Sequence, residues 1–414
     1  MPRKSLLRAL LLAVVAVLAR AADVIDIPYE TFTLDNGLTV IVHQDHKAPI
    51  VAVNVWYHVG SKNERPGKTG FAHLFEHLMF QGSEHYNDEY FGPLEKIGAT
   101  SLNGTTNFDR TNYFQNVPTT ALDTALWMES DRMGHLLGVI DQPRLDEQRG
   151  VVQNEKRQGE NQPYGRVFEA LAAASFPAGH PYRWLPIGSM EDLNAASLED
   201  VKDWFRAYYG AANATIVLAG DIDTKTAREK IAKFFGHIPG GTEPTRLDVW
   251  TAARTEDTRQ VMHDRVAQSR LYRSYNVPQF GSDDAALLDL AAHILGGGKT
   301  SRLYERLVYR DRLADSASAS VEPFEIAGLF LFVSDVKRGV DYRGVEAALN
   351  EEVGRFLARG PTRAELDAAR TALRAQFVRG LERIGGFGGK ADVLAECATY
   401  TGDPACYKRI LANW

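Results

Sequence analysis

The chain has 414 residues, 44% of them hydrophobic and 24% charged. That is the composition of a folded polypeptide with room for two or three domains, each with its own core. Forty-seven Lys and Arg face 53 Asp and Glu, a formal charge of −6, which argues against a nucleic-acid binder, since such a protein needs a basic surface to meet phosphate. Two cysteines are too few for a disulfide framework or a thiolate zinc finger.

The first twenty-one residues read as a secretory leader. Arg3, Lys4 and Arg8 precede an uncharged apolar run from Ala9 to Ala19, and Ala19-Arg20-Ala21 supplies a small-residue cleavage site. Eleven helical residues cover about 16 Å, roughly half of a bilayer core, so the run is too short to span. Removal of residues 1–21 takes away four basic residues and no acid, leaving a mature charge of −10. No later stretch approaches transmembrane length, and the mature chain is expected to be periplasmic or secreted. Export would permit a Cys397–Cys406 disulfide, with two unpaired thiols as the alternative.

Beyond the leader, strand and helix signals alternate. Phe32 to Val42 holds two apolar runs around Asp35-Asn36-Gly37, a hairpin signature. Ile50–Val59 reads as a buried strand, Gly70–Phe80 as a helix stopping before Gly82, Thr111–Val117 as a strand, and Thr120–Leu137 as a helix. Pro143–Gly159 reads as a helix opened by proline, Ala214–Ala219 as a short strand, and Thr224–Phe235 as a helix. Residues 237–258 carry Pro239, Gly240, Gly241 and Pro244 without periodicity and read as a linker. The order then restarts. Strands are expected near Gln260–His263 and Leu271–Asn276, helices at Asp283–Leu295 and Ser301–Val308, strands near Ala314–Val321 and Leu329–Val333, and helices at Tyr342–Leu357 and Thr362–Leu381. The expected architecture is α+β: two similar domains, 28–236 and 259–414, each a mostly antiparallel sheet with helices on one face.

One pattern carries chemistry: His73-Leu74-Phe75-Glu76-His77. On a helix, residues i and i+4 leave the same face one turn apart, so both imidazoles can bind one cation. Phe71, Leu74, Phe75 and Leu78 form the opposite, apolar face that anchors such a helix in a core. With 11 histidines in the chain, H-x-x-E-H arises by chance in about one or two chains per hundred. Catalytic zinc usually has three protein ligands, and the third here must be a carboxylate. Glu147, Glu155 and Glu160 compete for that place, Glu155 standing one turn after Val151.

The segment Gly67-Lys68-Thr69-Gly70-Phe71-Ala72-His73-Leu74-Phe75-Glu76-His77-Leu78-Met79-Phe80 closely resembles the insulinase/pitrilysin-type zinc metallopeptidases, whose motif is the inverted zincin order. Asn103 to Tyr113, Val151 to Arg157 and the run Leu295 to Tyr304 are similar to that family too, so the resemblance covers nearly all of the mature chain. It implies one Zn2+ per chain, bound by His73, His77 and Glu155, with Glu76 as the general base that activates water. It implies a peptide substrate lying along a sheet edge near Asn103 and Asn107, the other reading of that stretch being a polar hairpin with satisfied amides. Many members carry a further glutamate seven residues before the third ligand. Here that position is Gln148, with Glu147 beside it as a possible substitute in supporting the site.

The resemblance thus points to an exported zinc endopeptidase acting on peptides or unfolded segments. The alternative is a catalytically weak or inactive member serving as a partner or scaffold subunit; a metal-storage module would bind zinc without hydrolysis. It also implies a second two-domain half, on the same polypeptide or another subunit, with the second domain here truncated near Trp414. Gly298-Lys299-Thr300 mimics the end of a phosphate loop, but His293 stands where its first glycine is required.

Overall fold

A computed structural model describes residues 25–242 and 244–414; the leader lies outside the described residues. In chain order the first part runs β1 (Glu30–Thr33), β2 (Thr39–Gln44), β3 (Ile50–Tyr57), α1 (Phe71–Leu78), α2 (Phe91–Lys96), β4 (Thr100–Thr106), β5 (Thr111–Pro118), α3 (Leu122–Gly134), α4 (Gln142–Asn161), α5 (Val167–Ser175), α6 (Met190–Ala195), α7 (Leu198–Tyr208), β6 (Ala214–Gly220) and α8 (Thr224–Phe235). The second part runs β7 (Arg270–Val277), α9 (Asp283–Gly296), a π-helical turn (Tyr304–Arg310), β8 (Ala314–Pro323), β9 (Gly328–Val336), α10 (Tyr342–Arg359), α11 (Arg363–Gly380), α12 (Lys390–Thr401) and α13 (Cys406–Asn413).

Two sheets organise these elements. The first has six strands in the order β1-β2-β6-β3-β5-β4, and the second has three in the order β7-β9-β8. All pairings are antiparallel except β2 with β6. The period-two rule explains the composition of the first sheet. Val51, Val53 and Val55 face the core made with α1, α3 and α8, whereas Ala52 and Trp56 face the opposite side. That opposite face is covered by α12 and α13 from the end of the chain, through Leu394, Ala395, Tyr407 and Leu411. Strand β6 is therefore apolar on both faces, with Ile216 and Leu218 turned one way and Val217 and Ala219 the other. Cys397 and Cys406 join α12 to α13 as a disulfide, Cα–Cα 5.3 Å.

Gln260–His263 is not a strand: it carries no regular structure and is exposed. A strand needs a neighbour to complete its hydrogen bonds, and the second sheet closes with three. The extended segment after α8 reaches Ser269 and is pinned on its way, Trp250 N donating to the Ile326 carbonyl at 2.9 Å. No helix of the described residues is long and apolar enough to cross a membrane.

The two parts are locked by buried charge. The turn between β8 and β9 brings Glu325 against Lys62 and His58, with His58 Nε2 2.6 Å from Glu325 Oε2. Lys62 also lies 3.3 Å from Asp109, which is fully buried. Asp109 accepts from Tyr182 OH at 2.5 Å and from the Glu325 backbone N–H at 2.9 Å. Removing one partner of such a network leaves an uncompensated charge in the interior. Lys62→Met is expected to lower the unfolding free energy by about 3–5 kcal/mol, measured by chemical denaturation; a loss within experimental error would mean that water reaches this contact.

Candidate metal centre and cleft

Helix α1 is only eight residues long and is held from outside. Its N-cap, Gly70, has φ 90° and no side chain to cap with. Glu64 takes over that duty: its Oε1 accepts the Ala72 N–H at 2.9 Å, and its Oε2 accepts the Trp184 indole N–H at 2.8 Å. Asp192 Oδ2 accepts both the backbone N–H and the hydroxyl of Thr69, at 2.9 and 2.6 Å. Gly70 and Gly188 cross so closely that a Cβ on Gly188 would lie 2.4 Å from the Gly70 Cα. The clash accounts for Gly188, while the positive φ of Gly70 accounts for the glycine that closes Gly67-Lys68-Thr69-Gly70.

The expected face division holds, with Phe71, Leu74, Phe75 and Leu78 buried in the core. On the other face the rings of His73 and His77 stand edge to face, centroids 4.8 Å apart. Helix α4 starts at the Asp141 cap with proline in its first turn and brings Glu155 across. Glu155 Oε2 lies 3.6 Å from His73 Nε2 and 3.5 Å from His77 Nε2. Ligands at 2.0–2.2 Å around a tetrahedral cation are separated by about 3.3–3.6 Å. Two imidazole nitrogens and one carboxylate oxygen at these separations suit a zinc-class ion. His73 is neutral, as metal binding would require: burial and the nearby His77 lower it to about 4.

Glu76 does not join that triangle. It is buried beside it, with Oε2 accepting the Thr106 hydroxyl at 2.5 Å. Burial raises its carboxyl to about 7, against the opposing effects of the Thr106 hydroxyl and the Arg110 charge. Arg110 is held by the Thr105 carbonyl at 2.9 Å and the Thr105 hydroxyl at 2.5 Å. Thr106, Arg110, Glu64 and Asp192 were not singled out in the sequence. Thr106 and Arg110 lie in the polar stretch 103–113, and their polarity is explained by this use. Glu64 and Asp192 carry no motif.

The remaining candidates separate. Asn103 is exposed on β4, the free edge of the six-stranded sheet, its amide oxygen accepting from Gly104 N–H at 3.0 Å. Asn107 serves the turn between β4 and β5 instead: its Oδ1 accepts the N–H groups of Asp109 and Arg110 at 2.7 and 2.8 Å, and its Nδ2 donates to Tyr400 OH at 3.2 Å. Gln148 lies on the buried side of α4, while Glu147 is exposed to solvent. Glu160 is paired with Lys156 at 2.9 Å. The valine argument for Glu155 holds only in part, since Val152 is fully buried and Val151 is 38% exposed.

Residues 39–182 match Insulinase (Peptidase family M16), and residues 195–373 match the Peptidase M16 inactive domain. The zinc protease PqqE of Helicobacter pylori is 30% identical over 358 residues, covering 86% of this chain and 80% of that one. The chain belongs to the insulinase-type M16 peptidase family. A crystal structure of a protease from Helicobacter pylori matches it with TM-score 0.83 and 27% identity, over 94% of this chain and 93% of that one. The periplasmic protease PqqL from Escherichia coli shares the fold at 19% identity, TM-score 0.72, over 94% of this chain but only 44% of its own. The family's α+β architecture of two similar domains is thus the architecture of this chain.

Since the Asn107 amide is occupied by the turn and by Tyr400, Asn107→Ala is expected to cost about 1–3 kcal/mol of stability, read by thermal unfolding. An unchanged melting temperature would return this side chain to the cleft.

Proposed function

We propose that the chain is an exported zinc endopeptidase acting on peptides or unfolded polypeptide segments, with His73, His77 and Glu155 as ligands of one Zn2+ and Glu76 as general base. The observation that carries this reading is the convergence of the two imidazoles on Glu155 Oε2 with a second carboxylate, Glu76, buried alongside. Zinc bound there would supply Lewis acidity and lower the pKa of a coordinated water towards about 7.

The chain's own residues supply the proton handling. Thr106 fixes Glu76 through Oε2, which leaves Oε1 to take a proton from water and return it to the leaving amine. A carboxyl raised to about 7 by burial is matched to both transfers near neutral pH. The free backbone edge of β4 can pair with an extended peptide, a mode of binding that tolerates many side chains.

Export is supported by the leader pattern at residues 1–21 and by the Cys397–Cys406 disulfide, a bond favoured in oxidising compartments. A second two-domain half is supported by the periplasmic relative of which this chain matches less than half. Gln148, buried where many members carry a glutamate, favours the second reading, a weakly active partner subunit. The glutamine keeps a hydrogen-bonding amide but not a charge.

Hydrolysis of a quenched peptide should stop with a chelator and return with Zn2+. Glu76→Gln should retain zinc, measured by metal analysis, while turnover falls by about 10²–10⁴-fold. Turnover at the wild-type rate would remove Glu76 from the role of base. Full zinc occupancy with no hydrolysis by the unaltered chain, alone or with a second half, would favour the subunit reading.

A further inference from the structure

A separate set of metal-ligating side chains gathers where three chain segments meet. Asp131 and His135 lie one turn apart at the end of α3, His85 belongs to the loop that follows α1, and His237 follows α8. One donor atom from each of His85, Asp131 and His135 lies within 4.8 Å of the other two. Asp131 is buried and receives both donors of His85: the ring Nδ1 stands 2.6 Å from Oδ1, and the backbone N–H 3.2 Å from Oδ2. His135 Nε2 stands 3.1 Å from His237 Nε2.

That last distance is informative. Two imidazoles on one tetrahedral cation at 2.0–2.1 Å hold their nitrogens about 3.3–3.4 Å apart. His135 is also oriented for the task. Glu84 Oε2 lies 3.5 Å from its Nδ1, on the side away from the Nε2 that meets His237, as outer carboxylates orient ligating imidazoles. The Glu84 backbone N–H donates to the His135 carbonyl at 3.0 Å, fixing the loop against the helix end.

We propose that His85, Asp131 and His135, with His237 beside His135 Nε2, form a second transition-metal site, independent of the His73/His77/Glu155 group. Two imidazole nitrogens and a carboxylate, with a third imidazole at hand, favour Zn2+, Co2+, Ni2+ or Cu2+ over Mg2+ or Ca2+. The side chain of His85 is 58% exposed, so the ion exchanges with solution. Its effect is structural. It ties the loop after the His73/His77 helix to the end of α3, beside the segment after α8.

The test uses the whole chain carrying His73→Ala and His77→Ala, which removes the first group, so its outcome does not depend on the peptidase reading. Metal-free protein is titrated with Co2+, followed by visible absorption and calorimetry, and its melting temperature is read with and without the ion. One equivalent should bind, with a rise in melting temperature. Adding His135→Ala should weaken binding by at least about tenfold. Should that variant fold poorly, His85→Ala, altered at an exposed ring, should weaken binding likewise. No bound Co2+ in the double variant, or binding unchanged by His135→Ala or by His85→Ala, would overturn the site.

Discussion

An eight-residue helix has little stability of its own, because nucleation costs more than so few hydrogen bonds return. Three of the four residues of the proposed peptidase site, His73, Glu76 and His77, nevertheless stand on α1. Its two imidazoles can share an ion only if the helix neither frays nor rolls, so the contacts that fix it determine the site. Glu64 satisfies an N–H that Gly70 cannot reach, and Asp192 holds the preceding residue. The Gly70–Gly188 crossing leaves the chain no room to move inward. Phe71, Leu74, Phe75 and Leu78 supply the apolar weight. The helix is thus a rigid insert held at its start and along one face.

That arrangement explains what could and could not be read from the residues in order. The H-x-x-E-H helix was legible because its two faces are written within eight residues. Most strand and helix spans were legible for the same local reason, and Thr224–Phe235 matches to the residue. The carboxylate that joins the His73/His77 pair was not legible from periodicity. The buried side of α4 is lined by Leu145, Gln148, Val152 and Lys156, so Glu155 sits at its flank and is distinguished from Glu147 and Glu160 only by what lies opposite. Family resemblance pointed to it where spacing could not. Glu64 and Asp192 were invisible for a related reason: each acts on a segment distant in sequence, and nothing local marks them.

The strand expected at Gln260–His263 failed on a different ground. A short apolar run says that a segment can be a strand, but not that a partner edge exists for it. The same blindness hid the covering of the first sheet by α12 and α13. Strand β6 is apolar on both faces, a pattern that announces a doubly covered strand, but only the assembled chain reveals that the cover comes from nearly two hundred residues downstream.

The cover and the buried charges together fix the surroundings of Glu76. The turn joining β4 to β5 is fixed by Asn107, which reaches Tyr400 on α12, and by Asp109, which takes the backbone N–H of Glu325 from the β8–β9 turn. The same turn sets the positions of Thr106 and Arg110, the two residues whose hydroxyl and charge act on Glu76. A displacement of the second sheet would therefore be transmitted through the buried ion network to Glu76, the proposed base. The matching part of the chain, however little chemistry it carries itself, positions the chemistry of the first.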